Sequence, residues 1–146
     1  MKKLQLLSLI VCAVAVLLCG CRDTADAVDA GDTIAKAQEI AVLPAGADEP
    51  VRTITEQDEL DDFVHALALE TWRPEAVPAD AAAVGQFELS QESTEKFGES
   101  GEDETLHPVC CITLYDGPYI GLEIAGMEMA FRISDDAAGF LNGFFE

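Results

Sequence analysis

Basic residues are scarce in this chain. Eight Lys and Arg stand against 28 Asp and Glu, for a formal charge of -20. A surface of that sign repels phosphate backbones and anionic headgroups, which excludes nucleic-acid binding. Histidine occurs twice, as His65 and His107, and no Cys/His spacing suits a metal. No Ser/His/Asp elbow, Gly-rich phosphate loop, HExxH or paired-carboxylate signature is present. On these absences we expect no enzyme, no cofactor and no metal site. The longest apolar run, Leu4 to Leu18, has fifteen residues, short of the roughly 20 that a membrane-spanning helix needs.

That run has another use. Met1-Lys2-Lys3 precedes it as a short positive segment, and no stop-transfer cluster follows, since Arg22 stands alone before a series of acids. This is the layout of a secretory signal. The run ends in Leu18-Cys19-Gly20-Cys21, which resembles the lipobox of bacterial lipoproteins. The resemblance covers residues 1 to 21. It implies diacylglyceryl transfer to the Cys21 thiol, cleavage at Gly20-Cys21, and acylation (a palmitate-type chain) of the new amine. The protein is then exported and lipid-anchored, at the cell membrane or the outer membrane. Two acyl chains anchor stably where one does not, at roughly 0.8 kcal/mol per buried methylene. Loss of Lys2 and Lys3 with the leader leaves six bases against the 28 acids.

Of the five cysteines, Cys12 and Cys19 leave with the leader and Cys21 is lipidated, so Cys110 and Cys111 remain in the folded part. Adjacent strand residues point to opposite faces, so a bridge between these two is strained and no structural disulfide is expected. Residues 21–34 read as a lipidated Cys and an acidic flexible linker. Asp23, Asp26, Asp29 and Asp32 recur among small residues, with little to bury. Fully stretched, residues 22 to 34 reach roughly 40–45 Å. The Asp spacing lacks the alternation and terminal Glu of an EF-hand.

Residues 35–146 read as one domain. Ala37 to Leu43 and Val51 to Thr55 are two short strands, paired across the turn-rich Pro44–Pro50. A helix follows, with Thr55 as its expected cap and Asp58 returning the hydrogen bond. Leu60, Phe63, Val64 and Leu67 form its core stripe, and Asp58, Asp61, Asp62 and His65 its solvated face. Trp72 is expected to pack under that helix. Gly85 to Ser90 is a strand with Phe87 and Leu89 inward. Gln91 to Thr105 is a polar loop rich in Glu, with Gly98 and Gly101.

The last forty residues are patterned most sharply. His107 to Tyr115, Tyr119 to Ala125 and Met127 to Ile133 alternate as strands, joined at Asp116-Gly117 and Ala125-Gly126. A two-residue loop at the second turn pairs Ile124 with Met127, Leu122 with Met129 and Ile120 with Phe131 on one face. The other face then carries Tyr119 opposite Arg132, a cation–π pair, and Glu123 opposite Glu128, a mild repulsion that suits solvent. An odd-length loop at the first turn puts Cys110, Ile112 and Leu114 inward and leaves Cys111 the more exposed thiol. His107 would share the face of Cys111 but lie roughly 13 Å away along the strand, too far for a Cys–His pair. Ser134 caps a final helix with Asp135 and Asp136 in its first turn and Ala137, Phe140, Leu141 and Phe144 as its core stripe.

The expected fold class is α+β: an antiparallel sheet of four to six strands with two helices packed on one face. The order of elements faintly resembles small bacterial surface lipoproteins, and no site residues follow from that. Three functions remain. The first is a noncatalytic, monomeric, lipid-tethered module that binds an envelope protein, peptide or glycan through the sheet face around Tyr119, Glu123 and Arg132 or through the acidic loop Glu92 to Glu104. The second is a surface protein that takes a divalent cation, calcium, on the acidic loop 92–104. The third, ranked last, is a small envelope hydrolase.

Overall fold

The computed structural model describes residues 29–92 and 105–146. The leader, Cys21 and most of the acidic loop, residues 93–104, lie outside that range. The domain begins earlier than expected. Ala30–Ala35, assigned above almost wholly to the linker, is a helix, α1. The Asp29 carboxylate accepts the Asp32 N–H at 3.2 Å and caps it, and Ile34 is fully buried. One large apolar side chain ties down a segment whose composition otherwise reads as tether.

Seven strands follow: β1 Glu39–Pro44, β2 Arg52–Ile54, β3 Arg73–Pro74, β4 Ala83–Glu92, β5 Leu106–Tyr115, β6 Tyr119–Ile124 and β7 Met127–Arg132. They form one sheet in the order β2-β1-β4-β5-β6-β7-β3, antiparallel at every pairing. The expected range of four to six strands is therefore one short. The extra strand is β3, two residues that pair Arg73 with Arg132 and Pro74 with Phe131. Proline has no N–H to give a ladder, so this pairing is found only at an edge.

Two further helices, α2 (Gln57–Leu67) and α3 (Asp135–Asn142), complete the fold. With α1 that makes three among the described residues where two were expected. Leu60, Phe63 and Leu67 of α2, Ala137, Ala138 and Leu141 of α3, and Ile34 of α1 share one core with the inward side chains of the sheet. That core includes Ile40, Val42, Phe87, Leu89, Ile112, Leu114, Ile120 and Leu122. Phe87 sits at its centre, with ring centroids 5.2 Å from Phe63, 5.5 Å from Phe144 and 5.3 Å from Phe145. A Cβ on Gly85 would lie 2.3 Å from the Phe145 ring, so only glycine lets the C-terminal aromatics close over β4. Phe140, expected in the core stripe, is instead partly exposed. Its ring packs edge-on to Phe63 at 6.1 Å.

Capping differs between the helices. Ser134 accepts the Ala137 N–H at 3.2 Å, as expected. Helix α2 starts one residue later than the Thr55 cap predicts, with Glu56 at the cap position and no side-chain bond there. Asp58 and Glu59 in its first turn still oppose the positive end of the helix dipole. Ala68 ends α2 in the left-handed region at φ 46°. Trp72 then turns back under it, its Nε1–H donating to the Leu67 carbonyl at 2.8 Å and its ring 5.3 Å from Phe131. Among the described residues no helix is long and apolar enough to cross a membrane.

Candidate functional site

The helices cover one face of the sheet. Among the described residues none covers the other, and the register dictates what lies on it. Thr53, Ala41, Glu88, Cys111, Glu123 and Glu128 oppose one another in sequence across six strands. They form one transverse row perpendicular to the chain direction. The next row toward the β5–β6 turn holds Leu43, Gln86, Thr113, Gly121 and Ala130. Beyond it Tyr119 opposes Arg132. Cross-strand neighbours of this kind stand about 4.5–5.5 Å apart, so from Glu88 to Glu128 the first row is a line of carboxylates interrupted by one thiol.

The three residues expected to form a binding surface do share this face, but they do not form one cluster. The Arg132 guanidinium lies 5.9 Å from the Tyr119 ring centroid and 3.9 Å from the Glu75 carboxylate. Glu123 lies four residues along β6 from Tyr119, roughly 13 Å away, in the carboxylate row. The neighbours of Glu123 are Cys111 and Glu128. Sequence reasoning missed Glu88 and Gln86 as members of the site. Their alternation with Phe87 and Leu89 points them to the open face, but only the pairing of β4 with β5 brings them beside Cys111.

At this end of the face lies an open depression of about 750 Å³. Its walls come from β4 (Gln86, Glu88, Gln91), the start of β5 (Pro108 to Cys111) and the β6–β7 turn (Glu123 to Gly126), with Thr33 of α1 at its border. That turn needs positive φ at both positions, 51° at Ala125 and 76° at Gly126, which is the two-residue hairpin geometry the spacing predicts. Gln91 pins α1 to this end: its Nε2 donates to the Thr33 carbonyl at 2.7 Å.

The two thiols sit on opposite sides of the sheet and both are free. Cys110 is 4% exposed, in the core. Its pKa is pushed up to about 12, mainly because burial disfavours the thiolate and also through the neighbouring Cys111. Cys111 is half-buried in the open face and donates to the Gln86 Oε1 at 3.7 Å. Its pKa is also raised, first by burial and then by the Glu88 and Glu123 carboxylates, with the Thr113 hydroxyl opposing. A thiol held neutral in this way is a poor nucleophile.

No imidazole adjoins it. At Val109 the ladder slips, so that Leu89 opposes Cys110 but Ser90 opposes Pro108. The bulge reverses the alternation, as an extra residue must. His107 therefore opposes Gln91 and lies on the other face from Cys111, correcting the expectation that they share one. His65 is exposed on α2. Among the described residues no group of three or more His, Cys, Asp and Glu side chains is placed to hold a metal ion. The proposed calcium loop lies, apart from Glu92, outside the described residues.

No family model matches the chain, and no curated protein matches it either. Among solved structures, the chain is similar to a thioesterase-like protein from Clostridium sporogenes, at 15% identity and a TM-score of 0.40, over 75% of this chain and 94% of that one. Beside that finding the expectation that the protein is no enzyme does not stand, and we withdraw it. Likeness at this level assigns no reaction, substrate or residue to this chain.

Proposed function

We propose that the protein is a lipid-anchored component of the cell envelope that binds a partner on the open face of its sheet. The observation that carries the binding half is the asymmetry of the sheet. Three helices bury one face, while the other presents an ordered row of polar side chains around a depression of about 750 Å³. A depression of that size falls within the range of small-ligand and peptide-anchor sites. The lipobox at Leu18–Cys21 carries the anchoring half.

Each half has its own test. Mass spectrometry of the mature N-terminus is expected to find a diacylglyceryl adduct on Cys21, and an unmodified thiol there removes the anchor. For the face, a photoreactive amino acid replaces Thr113 in one variant and Asp62 in another. Thr113 lies in the depression's neighbouring row, whereas Asp62 is exposed on α2. Irradiation in the native envelope is expected to crosslink a discrete partner from position 113 and not from position 62. Equal crosslinking from both positions, or crosslinking only from 62, removes the open face as the binding surface.

A further inference from the structure

We infer that the occupant of the open face is an extended basic peptide segment, docked along the row Glu88–Cys111–Glu123–Glu128. The inference rests on the binding reading above and adds the chemistry of the partner. Its first support is charge. Three of the four side chains in the row are carboxylates. Glu123 and Glu128 oppose each other directly, an arrangement that destabilises a strand pair unless a countercharge is supplied. None of the three ion pairs among the described residues involves them or Glu88. After burial, the Glu88 and Glu123 carboxylates beside Cys111 raise its pKa further, as their place in the row requires.

The second support is dimension. The row crosses four adjacent strands, three spacings of about 4.8 Å, so it is about 14 Å long. An extended peptide with basic residues at positions i, i+2 and i+4 projects all three from one side over about 13 Å. Glu88, Cys111 and Glu123 line the depression of about 750 Å³, and Glu128 extends the row past its rim. A single ion does not fill that volume, whereas several peptide side chains do. Gln86 and Thr113 beside the row add polar groups for a peptide backbone.

The third is reach. Thr33 borders the depression, so the chain enters the domain at the docking end. Seven residues lie between Cys21 and Asp29, eight steps of chain that span at most about 26–29 Å. With Cys21 in the bilayer, a tether of that length holds the row near the membrane surface, where segments of other envelope proteins meet it.

The test uses the full lipidated chain in phosphatidylcholine vesicles, which carry no net charge to compete. The probe is a fluorescent seven-residue peptide alternating Thr and Lys, with three lysines; the control peptide has Glu for Lys. Anisotropy is expected to show binding of the Lys peptide alone, weakening as salt is raised, and reduced at least about tenfold in the E88Q/E123Q/E128Q variant. An unchanged melting temperature shows that the variant is folded. Equal affinity in the variant, or no binding of the Lys peptide to the unsubstituted protein, overturns the inference. If the Thr113 crosslink forms regardless, the face still binds and only the basic-peptide assignment falls. If that crosslink also fails, the binding reading falls with it.

Discussion

The two faces of the sheet are made by the same strands and behave as different materials. Toward the helices, Phe87, Leu89, Ile112, Leu114, Ile120 and Leu122 are all essentially excluded from solvent. One residue along in each strand, Glu88, Cys111, Thr113, Gly121 and Glu123 line the other side, where exposure is partial or full. The first face is held by burial of apolar surface and aromatic packing, terms that are short-ranged and intolerant of lost volume. The second is held by the ladder and a few exposed polar contacts, such as Arg132 with Tyr119 and Glu75, and carries like charges in register. Stability is thus concentrated on one side of each strand, leaving the other free to be specified by what it binds.

Substitutions at adjacent positions sharpen that contrast. The largest effect is expected from Phe87→Ala, at about 3–5 kcal/mol of destabilisation in chemical denaturation. Its neighbour Glu88→Gln is expected within about 0.5 kcal/mol of the parent. Similar losses at both positions would mean that the open face is packed in the native protein. Next comes Gly85→Ala, where the new Cβ meets the Phe145 ring and the Leu43 carbonyl oxygen at 2.8 Å. Overpacking of this kind costs about 1–3 kcal/mol. Deleting Phe145 in the same background is expected to recover part of that loss, and no recovery would place the strain elsewhere.

The thiols give the comparison a pH axis. The folded Cys110 thiol keeps its proton up to about 12, against an ordinary value of 9.0. Its neutral form contributes stability that is whole below pH 9 and is lost as pH rises toward 12. Melting temperature is therefore expected to fall across that window, and less steeply in Cys110→Ala. In the folded protein at pH 8, alkylation mapped by mass spectrometry is expected at Cys111 before Cys110, because Cys111 alone faces solvent. The reverse order would contradict the assignment of faces. The smallest effect is expected from Glu128→Gln, which removes one side of the Glu123–Glu128 repulsion and stabilises by a few tenths of a kcal/mol at low salt.

Much of the site was legible because hairpins are local. Alternation and the Ala125-Gly126 turn determine which residues of β6 and β7 oppose one another, so Tyr119–Arg132 and Glu123–Glu128 follow from spacing alone. The inward set Cys110, Ile112 and Leu114 follows from the three-residue loop before β6. What escaped was non-local. Glu88 reaches the row because β4 chooses β5, and Arg73–Pro74 becomes a strand because β7 offers an edge nearly sixty residues later. The bulge at Val109 leaves no mark in the alternation, yet it sends His107 to the far side of the sheet. Helix α1 reads as tether because its only large apolar residue is Ile34.

By itself, then, the amino-acid sequence determined the lipobox expectation, the α+β class, the amphipathic stripes and the register of the C-terminal hairpins. Each of these depends on residues within a few positions of one another and on periods of 2 or 3.6. Tertiary structure alone decided the lateral order of the strands, the burial of Ile34, the bulge and the assembly of Glu88, Cys111, Glu123 and Glu128 into one row. Those features depend on which distant segments meet, and that is settled only when the whole core packs at once.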